Sequence, residues 1–329
     1  SGVRADRGNG LGCLVAGYES KSQLSVFVAN DATANFMFSN LAPFGEAPKF
    51  QEQAVLSGLA FSQAGLSQGC MGIAADDVDA DGRLDLFVTN FYNESNALYR
   101  QQETGNFLDE SGAWGIPQIS QNMLGFGTQF LDAELDGLPD LIVVNGHVDD
   151  LTSQGIPFKM SAQYLRNIGG RFTEWPANEL GPYFSRKVLG RGLARIDWNL
   201  DGKEDFVVSH LESPAALIEN QSENAGHYLA VELTGTQSAR DAIGTQVTLE
   251  IGTRKYVKQL TAGDGYQASN HRRLVFGLGD HQRIDRISVR WPNGTTESFE
   301  EIAADGVVRL IEAKGMFRLP QLSFSEVAQ

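Results

Sequence analysis

A nine-residue acidic pattern occurs three times in this chain and limits its fold more than any other feature. Each copy has carboxylates at positions 1, 5 and 9 and a glycine at position 6. The copies begin at Asp77, Asp132 and Asp197, and each is followed by an apolar run. A decayed fourth copy lies from Gly17 to Ser25. An internal period of this kind indicates a repeat architecture, in which each repeat forms one supersecondary unit.

Other short blocks recur in phase with the acidic pattern. Segments 35–40, 96–100 and 163–167 each follow an apolar run, and Phe107 or Phe172 then opens one more short strand. Each period therefore holds about four strands, as the blades of a β-propeller do. The 36 glycines and only five methionines also favour short strands and tight turns over helices. The alternative is a β-sandwich with unrelated acidic turns, and the regular phase favours the propeller.

The acidic loops resemble FG-GAP (VCBS-type) repeats. The stretch from Gly226 to about Glu312 is similar to the ASPIC/UnbV domain seen in bacterial relatives of cartilage acidic protein, through residues 241–247, 276–279 and 287–294. The resemblance implies a propeller of about seven blades, of which four are visible. Either three N-terminal blades are missing from this chain or four blades close by themselves, and we favour missing blades. It also implies a secreted protein, extracellular or periplasmic.

We therefore predict an all-β protein. Residues 1–224 form FG-GAP-type propeller blades, residues 225–313 form a small ASPIC/UnbV-like β-sandwich or barrel, and residues 314–329 form a C-terminal tail without a strong pattern. Residues 291–294, with the sequence Trp-Pro-Asn-Gly, predict a tight hairpin in the second domain. Its arginines make this domain more basic than the propeller, and we expect it to dock on the acidic propeller surface or on an acidic polymer: Arg272, Arg273, Arg283, Arg286 and Arg290.

The charge of the chain limits its partners. A formal net charge of -15 argues against nucleic acid and against an anionic membrane surface, because both need a basic footprint. Membrane insertion is not expected, since no run of 18 or more apolar residues occurs. The start at Ser1, without a leader, is expected of a mature or truncated product. The two cysteines, Cys13 and Cys70, leave a single disulfide open.

The three intact loops predict three calcium sites. A hard dication takes six to eight oxygen ligands, and side chains at positions 1, 3, 5 and 9 with the carbonyl of position 7 converge in such a loop. The glycine at position 6 permits the sharp turn. The predicted ligands are Asp77, Asp79, Asp81, Arg83 and Asp85; Asp132, Glu134, Asp136, Leu138 and Asp140; and Asp197, Asn199, Asp201, Lys203 and Asp205.

Two other interpretations of the loops are weaker. An EF-hand needs a glutamate at position 12, where this chain has Val88, Val143 or Val208 within a predicted strand. Acidic turns without an ion would crowd many carboxylates together. The loop from Gly17 to Ser25 is predicted to be empty, because Lys21 replaces the carboxylate at position 5.

A ligand is expected on the face opposite the calcium loops. Long connections there carry two aromatic and several basic side chains, and loops on a rigid scaffold are a usual place for binding. The candidate contacts are Asn145, His147, Tyr183, Phe184, Arg186 and Arg191. Asn30, Asn90, Asn145 and His210 end their strands in the same register, so they form a polar ring or simply cap turns.

The sequence favours a binding module over an enzyme. Neither His-Glu-x-x-His nor Gly-x-Ser-x-Gly occurs. We predict a secreted calcium-binding propeller that acts in adhesion or in binding an extracellular glycan, acidic polymer or protein. The alternative is an extracellular enzyme that uses the propeller face opposite the calcium loops.

Overall fold

The computed structural model describes residues 2–3, 7–18, 23–43 and 45–320. Its first part contains fifteen strands: β1 (Gly10–Ala16), β2 (Ser25–Asn30), β3 (Phe36–Asn40), β4 (Phe50–Glu52), β5 (Ile73–Asp76), β6 (Asp85–Val88), β7 (Ala97–Gln101), β8 (Phe107–Asp109), β9 (Gly125–Leu131), β10 (Asp140–Asn145), β11 (Gln163–Asn167), β12 (Phe172–Glu174), β13 (Leu189–Ile196), β14 (Asp205–Leu211) and β15 (Ala216–Ile218). The helices of the described ranges are α1 (Ala54–Ser57), α2 (Ile116–Ser120) and the 3-10 helices Thr152–Gln154 and Ala177–Glu179.

These strands form four antiparallel sheets in which chain neighbours are paired. Sheets one, two and three have four strands each, in the orders β1-β2-β3-β4, β5-β6-β7-β8 and β9-β10-β11-β12, and sheet four has the order β13-β14-β15. The prediction of an all-β fold with about four strands per period is therefore confirmed. Each acidic loop joins the first strand of a sheet to its second, so it lies at one end of that sheet.

The sheets pack face to face. Apolar cores lie between sheets one and two, between two and three, and between three and four. Strand β10 is buried along its whole length, because both faces of sheet three are covered by neighbouring sheets. One hydrogen bond repeats at each contact between sheets. A side-chain amide at the end of the third strand, or just after it, donates to a loop carbonyl of the preceding sheet. The bonds run from Gln101 to Tyr18, from Asn167 to Val78 at 2.9 Å and from Asn220 to Ala133 at 3.1 Å.

The outer face of sheet four is uncovered among the described residues. Trp198, Val207 and Leu217 are 47%, 37% and 45% exposed. Phe87 and Leu98 hold the positions of Val207 and Leu217 in sheet two, and both are fully buried against sheet three. Sheet four thus presents an apolar face, and the equivalent face of sheet two packs on sheet three.

The second domain is a sandwich of two four-stranded sheets. Its strands are β16 (His227–Thr234), β17 (Gln246–Ile251), β18 (Arg254–Gln259), β19 (Arg273–Gly279), β20 (Arg283–Arg290), β21 (Thr296–Ala303), β22 (Gly306–Ile311) and β23 (Gly315–Arg318). The sheet orders are β19-β16-β22-β23 and β18-β17-β20-β21, with β16 and β22 parallel. One core lies between them and includes the fully buried Trp291. Strand β23 lies within the stretch predicted as a tail, beyond the predicted domain boundary at residue 313.

The connection from β18 to β19 lies across the innermost strands of the four sheets. We call residues 261–271 the central segment. Its Ala262 and Gly265 form bridges to Val15 of β1 and Ile73 of β5. Its Asn270 accepts a hydrogen bond from the Arg195 backbone N–H of β13 at 2.8 Å and donates one to Gln129 of β9 at 3.0 Å. The second domain thus contacts all four sheets where they converge.

Ion pairs add to the contact between the domains. Arg273 pairs with Asp197 of the third acidic loop at 3.3 Å, and Lys258 pairs with Asp76 beside the first. This agrees with the expected docking on acidic propeller surface, but Arg272 and Arg286 pair within their own domain. The cysteines are not bridged: Cys13 is exposed and Cys70 is buried, and both are free thiols.

Candidate functional site

The three acidic loops share one backbone conformation. Position 6 is a glycine with a positive φ in every loop. Residues that have a Cβ adopt this backbone conformation only at a cost in free energy. The values are 86° for Gly82, 91° for Gly137 and 88° for Gly202, and position 4 is also left-handed, at 59° for Ala80, 57° for Leu135 and 62° for Leu200. The repeated turn explains why the sequence spacing is constant.

The carboxylate at position 1 closes each turn from within. In the first loop Asp77 accepts the backbone N–H groups of Asp81 at 3.0 Å and Gly82 at 2.8 Å. Asp132 accepts the equivalent pair at 3.0 and 2.7 Å, and Asp197 accepts the Gly202 N–H at 3.2 Å. The predicted ligands at position 1 therefore also shape the loop.

The carboxylate at position 5 holds the other half of the turn. In each loop it accepts the backbone N–H of position 7, two residues further along. The bonds run from Arg83 to Asp81 at 2.9 Å, from Leu138 to Asp136 at 2.8 Å and from Lys203 to Asp201 at 2.9 Å.

The carboxylate at position 9 ties the loop to the rest of its sheet. Asp85 accepts the N–H of Gln101 on the third strand at 2.9 Å and that of loop residue Val78 at 3.2 Å. Asp140 accepts the N–H of Asn167 at 2.8 Å, and Asp205 accepts that of Asn220 at 2.7 Å. These aspartates are buried, so they fix the loops on the sheets.

Carboxylate oxygens converge in the first loop. One ligand atom each from Asp77, Asp79 and Asp85 lies within 4.8 Å of the others. One oxygen of Asp79 is buried without a hydrogen-bond partner in the described part of the chain, and so is one of Asp197 in the third loop. An oxygen-only donor set with unpartnered buried oxygens fits a hard dication such as Ca²⁺.

Burial makes the ionised carboxylates costly without a nearby cation. It raises the pKa of Asp77 to about 7 and that of Asp85 to about 8. In the second loop burial raises the pKa of Asp132 to about 8 and that of Asp140 to about 7, and in the third it raises that of Asp197 to about 6. A bound dication would favour the ionised forms and reverse these shifts.

Basic side chains beside the loops were missed by the sequence analysis. Arg100 of β7 contacts Asp79 and lies 3.0 Å from Asp81. Arg166 of β11 pairs with Glu134 at 3.2 Å. The sequence does contain a signal for them, because both arginines occupy equivalent positions in the short blocks that follow the apolar runs. In the third loop that position is Glu219, which accepts a hydrogen bond from Asn199 at 3.1 Å, so the local charge differs between sites.

The decayed loop cannot be compared in the same way. Lys21, which takes the place of the position-5 carboxylate there, lies outside the described residues. The adjoining Gly17 exchanges two hydrogen bonds with the side chain of Gln259 in the second domain, at 2.8 and 3.1 Å.

The opposite face differs from the expectation. Tyr183 and Phe184 are buried in the core between sheets three and four, so the prediction of an exposed aromatic platform is wrong. Both rings stack edge-on to Phe206 of β14, and the Tyr183 hydroxyl lies 2.9 Å from a ring nitrogen of His210. These aromatics are instead used to join two sheets.

The basic residues of that connection divide into two groups. Arg191 lies over the Phe126 ring at 4.0 Å and donates to the carbonyls of Gly146 and His147, each at 3.1 Å. Its guanidinium therefore holds the loop after β10. Arg186 and Lys187 are exposed.

The asparagines that end the second strands cap turns, as the structural alternative predicted. Asn30 donates to the Ala34 carbonyl at 2.7 Å, Asn90 to that of Ser95 at 2.7 Å, and Asn145 to that of Ser161 at 2.9 Å. The predicted contact residues Asn145 and His147 are both buried. Of the six candidates, only Arg186 is exposed.

Comparisons with known proteins find both domain types that the sequence resembles. The FG-GAP-like repeat model matches residues 77–143, and the ASPIC and UnbV model matches residues 235–316. Cartilage acidic protein 1 of Xenopus tropicalis is 24% identical over 93% of this chain and 55% of that protein. The human protein of the same name is 25% identical over 87% of this chain and 41% of that protein. The chain spans about half the length of the curated relatives it matches.

Two solved structures show only remote likeness. The Vibrio cholerae biofilm matrix protein Bap1 has a TM-score of 0.33 at 13% identity, covering 96% of this chain and 62% of that one. AofleA from Arthrobotrys oligospora has a TM-score of 0.29 at 10% identity, covering 78% of this chain and 73% of that one. Neither carries an argument about function. In the described ranges, none of the helices has the length and apolarity needed to span a membrane.

The repeated loops and the sandwich domain that packs on them thus agree with the family matches: this chain carries an FG-GAP-like repeat and an ASPIC and UnbV domain, and it is similar to cartilage acidic protein 1.

Proposed function

We propose that this chain is a calcium-stabilised extracellular binding module of the adhesion type. The single observation that carries the proposal is the recurrence of one loop geometry in three sheets, with oxygen donors at the same positions each time. The FG-GAP-like match supports an adhesion-like module, and the similarity to cartilage acidic protein 1 supports an extracellular location.

The side chains at positions 1, 3, 5 and 9 and the carbonyl at position 7 of each loop would hold the ion. Calcium would add positive charge beside buried carboxylates whose pKa stays raised although arginines such as Arg100 and Arg273 lie nearby. Because those carboxylates also bond to the loop backbone and to the third strand, the ion would stabilise the connection between the first two strands of a sheet. The role proposed for the ion is structural.

We place recognition on the exposed basic pair Arg186 and Lys187, on the face opposite the loops. The protein is otherwise acidic, so a basic site suits a partner that carries carboxylate or sulfate groups. Arginine can bind such groups through two parallel hydrogen bonds. The proposed partner is a glycan, an acidic polymer or an acidic protein surface.

Retention on an array of carboxylated and sulfated glycans tests this proposal. We expect binding in calcium buffer and loss of binding when Arg186→Ala and Lys187→Ala are combined. Lys314→Ala is a matched control, because Lys314 is an exposed cation on the second domain. If Lys314→Ala loses binding equally, recognition depends on the overall charge of the protein and not on Arg186 and Lys187. Turnover of a retained glycan would support the enzyme alternative.

A further inference from the structure

One position beside the acidic loops differs in charge from sheet to sheet. The first residue of the third strand pairs with the valine at loop position 12 in sheets two, three and four, so the fourth residue from that point is equivalent in all three. These fourth residues are Arg100, Arg166 and Glu219. Their contacts with the three loops can therefore be compared directly.

Arg100 spans most of the first loop. Its guanidinium contacts Asp79 and lies 3.0 Å from Asp81 and 3.7 Å from Asp85. Asp79 and Asp85 belong to the group of carboxylates whose oxygens lie within 4.8 Å of one another. Arg83 also contacts Asp81, but in the described part of the chain it reaches no other carboxylate of the loop. The Arg100 side chain is 15% exposed, so salt and water screen its contacts little.

Arg166 makes a smaller contact with the second loop. It pairs with Glu134 at 3.2 Å, and both side chains are 31% exposed. Its guanidinium also lies 5.0 Å from the centre of the Trp175 ring. An exposed pair of this kind contributes little to stability. Arg166 therefore leaves the other three carboxylates of its loop available to an ion.

The third loop has an acid where the other two have arginines. Glu219 adds a carboxylate beside position 3 of that loop. The cations near the loop come from other positions, and each pairs with one of its carboxylates: Arg273 with Asp197 at 3.3 Å and Lys203 with Asp201 at 3.4 Å. Within the described ranges, the first loop is thus the one in which a single guanidinium is shared by three carboxylates.

Arg100 also has partners outside the loop. Glu110, on the connection after β8, lies 3.4 Å from its guanidinium, and the centre of the Trp114 ring is 5.7 Å away. A dication bound at the same carboxylates would repel the guanidinium, because two positive centres a few ångströms apart interact strongly in a partly buried site. Glu110 and Trp114 allow the side chain to leave the loop without losing all its contacts.

We propose that Arg100 is a built-in counter-ion of the first loop and that it competes with calcium. Without calcium, the guanidinium offsets the charge of Asp79, Asp81 and Asp85 and keeps the loop folded. When calcium binds, it takes these carboxylates and Arg100 moves toward Glu110. The first loop therefore binds calcium more weakly than the second loop and fills after it. This inference rests on the proposed function, because it concerns one of the proposed calcium sites.

Calorimetric titration of calcium into chains with a single intact loop tests the competition. Asp136→Asn with Asp201→Asn leaves the first loop intact, and Asp81→Asn with Asp201→Asn leaves the second. In the first-loop chain, Arg100→Gln should lower the calcium dissociation constant at least about tenfold, because the competing charge is lost. Arg166→Gln in the second-loop chain is the matched control and should lower it by about twofold or less, since its pair is exposed.

The outcomes separate this inference from the proposed function. Unchanged or weaker calcium binding after Arg100→Gln overturns the competition and leaves the calcium site standing. If none of the chains binds calcium, the proposed function fails, and the competition fails with it. Arg100→Lys keeps the positive charge and should stay within about threefold of the parent affinity. A tenfold gain in this variant as well would assign the effect to packing of the guanidinium and overturn the competition of charges.

Thermal melting keeps the test decisive if the single-loop chains fold poorly. In the otherwise unchanged chain, Arg100→Gln should lower the melting temperature more in chelator than in saturating calcium, because the calcium-free loop is the one that needs the guanidinium. Substitution of a calcium ligand should show the opposite order. An equal loss in both buffers would assign Arg100 to packing alone and overturn the proposal.

Discussion

Replacing Asn167 by alanine should weaken the contact between sheets two and three. The Asn167 side chain is 2% exposed and donates to the carbonyls of Val78 at 2.9 Å and Pro139 at 3.3 Å. Alanine removes both donors and leaves the Val78 carbonyl buried without its bond. A buried polar group left unpaired costs about 1 to 3 kcal/mol, so we expect a loss of about 2 to 3 kcal/mol in the free energy of unfolding.

Asn220→Ala is the matched control for this change. It removes the equivalent bond to Ala133 at 3.1 Å, but Asn220 is half-buried, so water can replace part of what is lost. We expect a loss of about 1 kcal/mol or less. Urea unfolding of both variants at saturating calcium measures the difference. If Asn220→Ala costs as much as Asn167→Ala, or if both lie within about 0.5 kcal/mol of the parent, the repeated bond does not lock the sheets.

Three further outcomes follow from the structure. Tyr183→Ala should lower the free energy of unfolding by about 3 to 5 kcal/mol because it opens a cavity between sheets three and four, while Arg186→Ala should change it by less than about 0.5 kcal/mol; chemical denaturation separates the two, and equal effects would contradict the assigned burial. Asp136→Asn should lower the melting temperature in calcium buffer and have a smaller effect in chelator, and equal shifts in both would exclude a role through calcium. Leu217→Ser should reduce association at low micromolar concentration in analytical ultracentrifugation, and a parent chain that is already monomeric would show that the face of sheet four needs no cover.

Much of the fold follows from local sequence signals. Strand β17, from Gln246 to Ile251, follows directly from its sequence, because its apolar residues alternate with polar ones and turns flank it. The hairpin at Trp291 is also confirmed: Gly294 donates to the Trp291 carbonyl at 2.9 Å. The loop conformation is equally local, since glycine and the position-1 aspartate decide it within nine residues.

The rest depends on contacts between distant parts of the chain. Tyr183 is in a connecting segment, and its burial is decided by Phe206 in the following sheet. Arg100 reaches the first acidic loop only because β7 pairs beside β6. The central segment has no periodic pattern, so nothing in the sequence indicates that Ala262 and Gly265 lie against β1 and β5.

The most direct test of the account is the number of calcium ions held by the purified chain after exchange into calcium-containing buffer and removal of free metal. Metal analysis by mass spectrometry should give three calcium ions per chain. Asp81→Asn, Asp136→Asn and Asp201→Asn should each remove about one, because each alters one loop of the shared geometry. A count of zero, or a count that these substitutions leave unchanged, would contradict the claim that the acidic loops are calcium sites.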